Sequence, residues 1–232
     1  MVKHEKKGKY FTVPEIVLFT SSVLLITVSF IIFKSTDYIT LSASFIRAMS
    51  LIFAAKGNPL GMFLMIVFSI LYGIISYGYS YYGELITYLG MTAPMSAFSL
   101  ITWLKNPYNG KKSEVAVNEI SKKELIFMSL LTTAVTVFFY FVLKKLNTSN
   151  LIPSTISVIT SFAAVYMTFR RSPLYALCYV ANDVVLIILW ILASIENPSY
   201  FSVVVCFVMF LANDIYGFVN WQKMRKKQIT AV

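Results

Sequence analysis

The chain has 232 residues, 58% of them hydrophobic and only 13% charged, with a positive mean hydropathy. So few charges cannot cover the surface of a soluble domain of this length. The net charge of +10 sits in tails and loops instead of along one face, which excludes a nucleic-acid surface, and Cys178 and Cys206 both fall in apolar stretches, which excludes a disulfide scaffold.

Eight apolar segments of about 20 residues, the length that crosses a bilayer, follow one another along the sequence. Residues 1–36 form a basic tail, which carries the single histidine, His4, and then a first span over 14–33. That span is longer than a signal-peptide core and no small-x-small cleavage site follows it, so it is read as a retained helix. Residues 37–104 hold spans 38–55, 59–81 and 83–104. Residues 105–150 hold a polar loop, 105–124, read as a loop and not a domain, and span 125–143. Residues 151–232 hold spans 151–169, 173–195 and 199–222 and a basic tail. Pro14, Pro59, Pro153, Pro173 and Pro198 stand at or near span starts, where a missing amide proton costs nothing.

Lysine and arginine assign the sides. With both termini in the cytoplasm, sixteen of the twenty fall in inside segments and three (Lys34, Lys144, Lys145) in outside loops, while Arg47 lies within a span. Short loops with that bias predict cytoplasmic termini in a multi-pass protein of the cell membrane. A repeat is also visible. Pro59 followed by two spans ends at Trp103-Leu104-Lys105, and Pro173 followed by two spans ends at Trp221-Gln222-Lys223. With the preceding span added, spans 2–4 and 6–8 form two triplets, parallel because a single helix separates them. The predicted fold is therefore all-α, with about eight transmembrane helices in a SWEET-like 3+1+3 core plus an extra N-terminal helix.

Ionisable residues at membrane depth are costly and each calls for a function. Arg47 and Asp214 stand about 12 Å in from the same side, at 1.5 Å per residue, and are predicted to form a structural ion pair; snorkelling of Arg47 is the alternative. Asp183 falls near mid-span with no basic partner evident, on a face shared with Tyr179 and Trp190. A carboxylate beside aromatic rings suits a flat cation, and a structural aspartate is the alternative. Asn182 points about 100° away. Asn213, Tyr216 and Asn220 share another face, suited to hydroxyls or an amide of a ligand, or to bonds between helices. Span 3 aligns Ser69, Tyr72, Ser76 and Tyr79; span 4 aligns Thr92, Ser96, Ser99 and Trp103 after Tyr88, with a kink expected where Pro94 meets the carbonyl of Gly90. Glu84 is placed at the outer mouth, to attract a cation. Trp103 and Trp221, beside lysines at span ends, are assigned to the interfacial aromatic belt.

No metal, phosphate-loop or hydrolase motif is present. The sharpest enzymatic alternative is a membrane aspartyl protease using Asp183 and Asp214, but the Gly-x-Gly-Asp setting is missing. The segments YGELITYLGMTAPMSAFSLITWLKNPY, NDVVLIILW and FLANDIYGFVNWQKM, within a stretch running from about Asp37 to the C-terminus, resemble the PnuC family of nicotinamide riboside transporters. The resemblance implies the three-one-three core, commonly in a homotrimer, and a ligand between the triplets. It further implies facilitated diffusion, trapping by cytoplasmic phosphorylation, and no cofactor. Asn182 fits the family's asparagine, whereas Leu177 and Cys178 stand where a tryptophan is expected, and Ser96 stands where some members carry glutamine. Thiamine or another nucleoside-like vitamin is the alternative cargo, and a non-transporting scaffold the alternative role.

Overall fold

The computed structural model describes residues 10–79 and 81–230; His4 and the lysines of the first nine residues lie outside them. Eight helices long and apolar enough to cross a membrane follow in order: α1 (Val13–Ile32), α2 (Tyr38–Ala55), α3 (Leu60–Gly78), α4 (Tyr82–Lys105), α5 (Lys122–Lys145), α6 (Leu151–Phe169), α7 (Tyr175–Glu196) and α8 (Phe201–Thr230). Local chemistry sets their starts. Thr12 and Glu15 form a reciprocal capping box on α1, Asp37 accepts from Thr40 N at 3.0 Å at the start of α2, and Ser121 caps α5. Pro94 does not simply bend α4. The turn before it widens into a π-helical segment, Thr87–Thr92, which absorbs the missing amide proton and the clash with the preceding turn.

Six helices close a ring in which each touches the next: α2 on α3, α3 on α4, α4 on α6, α6 on α7, α7 on α8, and α8 back on α2. The other two stand outside. α1 packs against α2 and α8, tied at one end by Lys56 Nζ, which lies 2.9 Å from both carboxylate oxygens of buried Glu15. α5 packs on α6 and leaves Phe127, Phe138 and Phe141 exposed. Close approach in the ring needs small residues. A Cβ at Gly61 would sit 2.5 Å from Ala54 N, and Gly61 O instead accepts Ser50 Oγ at 2.8 Å.

Both ends of the described chain lie at one end of the ring, the basic end, with Lys56, Lys105, Arg170 and Arg171. The 105–124 segment is more ordered than the sequence suggests. Asn109 and Gly110, both at positive φ, turn a hairpin between β1 (Pro107–Tyr108) and β2 (Lys111–Val115). Residues 106–118 then strap the basic end. Val115 N donates to Gly57 O (2.9 Å), Ala116 N to Asn106 O (2.9 Å) and Asn118 N to Arg171 O (3.0 Å). α8 runs eight residues past its expected end at 222, because its lysines carry no stop signal. That extension brings Gln228 to accept from Val117 N at 2.7 Å and donate to Val115 O at 3.1 Å. Gly57 makes the turn possible: its φ is +67° and Met224 Cε would lie 2.7 Å from an added Cβ.

Candidate functional site

Inside the ring, charge meets aromatic rings. Arg47 of α2 is 5% exposed. Its Nη2 lies 3.4 Å from Asp214 Oδ2 on α8, and its Nη1 donates to Met65 Sδ at 2.8 Å. The guanidinium carbon sits 5.5, 5.1 and 5.9 Å from the ring centres of Phe68, Tyr179 and Phe210. Three π-faces and one carboxylate thus replace the water that a buried guanidinium loses. Asp183 of α7 is buried beside this pair, and its Oδ2 has no partner. With both carboxylates ionised the trio carries a formal charge of −1.

Aromatic contacts continue from this trio in both directions. Toward the opposite end, Phe68 stacks on Tyr72 (centres 5.4 Å apart), Tyr72 meets Tyr88 (4.5 Å), and Tyr72 Oη accepts the Trp190 indole proton at 2.8 Å. Trp190 then meets Tyr79 (5.2 Å) and Tyr81 (5.4 Å), and Tyr79 meets Tyr200 (4.7 Å). Toward the basic end, Tyr179 leads to Tyr175 (6.1 Å), Trp221 (4.9 Å) and Trp103 (5.4 Å). A continuous aromatic path therefore crosses the ring, with the charged trio part-way along it.

Not every residue singled out in the sequence joins this path. Tyr72, Tyr88, Tyr179, Asp183 and Trp190 do. Asn182 is buried against α6, where its Oδ1 accepts from Thr160 and Ser161 hydroxyls, both at 2.8 Å. Ser69 donates to Met65 O of its own helix at 2.7 Å, and Ser96 is buried at 3% exposure. Asn213, Tyr216 and Asn220 do share a face, but neighbouring helices cover it, α1 at Asn213 and Tyr216 and α2 at Asn220. Asn213 Nδ2 donates to Ser22 Oγ of α1 at 2.9 Å, Tyr216 Oη to Glu15 Oε1 at 3.1 Å, and Asn220 Nδ2 to Ala55 O at 2.7 Å. Asp214, a neighbour about 100° round the helix from Asn213, is the residue that looks inward.

Two further expectations are corrected. Glu84 does not stand at an open mouth: it is 1% exposed and accepts from Ser157 Oγ at 2.8 Å where α4 packs on α6. Trp103 and Trp221 are not belt residues. They are buried, and their indole protons bond backbone carbonyls of the facing half, Trp103 to Thr168 O (3.0 Å) and Trp221 to Ala54 O (2.8 Å). Phe68, Phe210 and Met65, which cage Arg47, went unnoticed because aromatic and thioether side chains carry no signal against an apolar background.

Residues 37–223 match the family described as Nicotinamide mononucleotide transporter. The chain belongs to this family. α1 lies outside the matched region, as it lies outside the ring. Among family relatives, the nicotinamide riboside transporter PnuC of Neisseria mucosa is 23% identical over 201 residues, covering 84% of this chain and 76% of that protein. The nicotinamide riboside transporter PnuC of Haemophilus influenzae is 23% identical over 177 residues, covering 76% and 75%. The crystal structure of the vitamin B3 transporter PnuC superimposes with a TM-score of 0.82 over 94% of both chains at 22% identity, so the fold is shared. The chain is a multi-pass membrane transporter, not an enzyme. For the aspartyl-protease alternative, Arg47 holds Asp214 and both carboxyls are sealed at 1% exposure.

Proposed function

We propose that this transporter carries nicotinamide riboside through the ring by facilitated diffusion, with phosphorylation trapping it afterwards. The observation that carries the reading is the buried Asp183 oxygen that has no partner, beside an arginine already paired with Asp214 and faced by aromatic rings. A pyridinium ring supplies the two things this place lacks, a positive charge and a flat face. The same charge balance favours the riboside over the mononucleotide. A phosphate dianion needs a free cation, and Arg47 is already shared between Asp214, Met65 and three rings. Cytoplasmic placement of the basic end rests on the sixteen-to-three charge bias. The exchange of indole-to-carbonyl bonds, Trp103 to α6 and Trp221 to α2, supports two equivalent triplets, 37–104 and 151–232. Arg47 and Asp214 act as the ion pair that fixes the ring; Tyr72, Tyr88, Tyr179, Asp183 and Trp190 are the residues that meet substrate. A homotrimer belongs to the same proposal, and light scattering of the purified protein tests it.

Proteoliposomes loaded with unlabelled nicotinamide riboside and given labelled riboside outside provide the test. Exchange without net concentration, unaffected by pH, sodium or voltage gradients and uncompeted by nicotinamide mononucleotide, supports the reading. Exchange of labelled thiamine in its place reassigns the cargo, uphill uptake driven by a gradient makes the protein a symporter, and absence of any exchange favours a scaffold.

A further inference from the structure

A second cavity stands apart from the charged trio, at the end of the ring away from the strap. It encloses about 240 Å³ and is built from the ends of five ring helices. Tyr79 follows α3, Tyr81 precedes α4, Asn150 caps α6 at φ 55°, Glu196 closes α7, and Tyr200 precedes α8. It is therefore seated over the middle of the ring. Below it Trp190 is fully buried, and its bond to Tyr72 separates the cavity from the charged trio.

The lining selects a chemical class. Tyr79, Tyr81 and Tyr200 gather around Trp190 with interplanar angles of 90°, 88° and 84°, an aromatic surround of the kind that holds cationic rings. Glu196 is exposed, and among the described residues no cation pairs with it. Lys34, Lys144 and Lys145 belong to the same end but line no part of the cavity. Its volume falls below the roughly 300–1,000 Å³ that buries a whole small molecule, so it takes a ring and leaves a sugar outside.

We propose that this cavity is a separate capture site for flat aromatic monocations, in which Tyr79, Tyr81 and Tyr200 receive the ring and Glu196 the charge, ahead of the Trp190–Tyr72 seal. The ligand class deepens the function proposed above and rests on it. Capture at an open, hydrated site is weak, roughly millimolar. Its effect is to raise the local concentration of cation at the seal and to turn away anions.

The test reads the cavity without transport. Ser149, exposed on its rim, is changed to cysteine in a full-length Cys178→Ser background, and its modification by cationic and anionic methanethiosulfonate reagents is timed. With each rate taken relative to that reagent's rate with a free small thiol, the cationic reagent is expected to be favoured about tenfold, Glu196→Gln to bring the two relative rates together, and millimolar 1-methylnicotinamide to slow both. Equal rates before the Glu196 change, no protection by 1-methylnicotinamide, or an unreactive cysteine each overturns the site. Should the cysteine variant fail to fold, saturation-transfer NMR of 1-methylnicotinamide with unsubstituted protein and with Glu196→Gln decides the question. A transfer signal that disappears in Glu196→Gln supports the site, and equal signals from the two proteins overturn it. A protected cysteine in a protein that exchanges no riboside keeps the site and removes the transport reading. Riboside exchange with an unprotected cysteine does the reverse.

Discussion

The two ends of the ring use aromatic residues in opposite ways. At the basic end the indoles of Trp103 and Trp221 donate to backbone carbonyls of the facing half, Asn220 does the same to Ala55, and the 106–118 strap adds main-chain bonds to Gly57 and Arg171. At the opposite end the rings of Tyr79, Tyr81 and Tyr200 meet edge to face around a cavity, and Tyr81 reaches Leu189 O only at 3.5 Å. Backbone bonds are costly to break when buried, while edge-to-face contacts rearrange at about 0.5–1.5 kcal/mol each. One end is thus locked by backbone bonds, and the free end is held by ring contacts and by the side-chain bonds of Tyr79 to Asp37 and Trp190 to Tyr72.

Variants at the charged trio, the lock and the free end separate these roles. Arg47→Met has the largest expected effect, because it leaves Asp214 buried without its cation, at a cost of about 3–5 kcal/mol. Thermal unfolding in detergent should fall by roughly 6–20 °C, and adding Asp214→Leu should restore most of the loss. No fall would mean the pair does not hold the ring. At the lock, Gln228→Ala strands Val117 N and Val115 O and should cost about 1–3 kcal/mol. Faster tryptic cleavage at Lys111 and Lys112 is the accompanying readout, and an unchanged digestion rate would deny the strap its role. The smallest shift belongs to the free end. Glu196→Gln should leave the melting temperature within the roughly 0.5 kcal/mol of an ordinary surface change; a drop as large as that of Gln228→Ala would erase the contrast between the ends.

Much of this was readable from sequence, and the failures have common causes. Span positions came through to within a few residues at most ends because hydropathy and length constrain a bilayer helix so tightly. Helical spacing correctly groups Asn213, Tyr216 and Asn220, yet it cannot say whether their face meets a ligand or the neighbouring helices α1 and α2. Trp103 and Trp221 stand beside lysines, and the belt rule reads only that neighbourhood, not the carbonyls of Ala54 and Thr168 that lie far off in sequence. The hairpin had a local signal in Asn109-Gly110, but a two-residue β1 is too short to show alternation. The cage around Arg47 is made of Phe68, Phe210 and Met65, residues that any apolar helix contains.

The assignment of a cationic ring to the trio stands or falls on Asp183 and its unpartnered oxygen. Calorimetric titration of purified protein and of Asp183→Asn with nicotinamide riboside, alongside the melting temperature of each, tests this most directly. The expected result is riboside binding to the unsubstituted protein, weakened about 5–30-fold in the variant (about 1–2 kcal/mol) with little change in melting temperature. Equal affinity for both proteins, with a lowered melting temperature in Asp183→Asn, would contradict it and make Asp183 a structural residue.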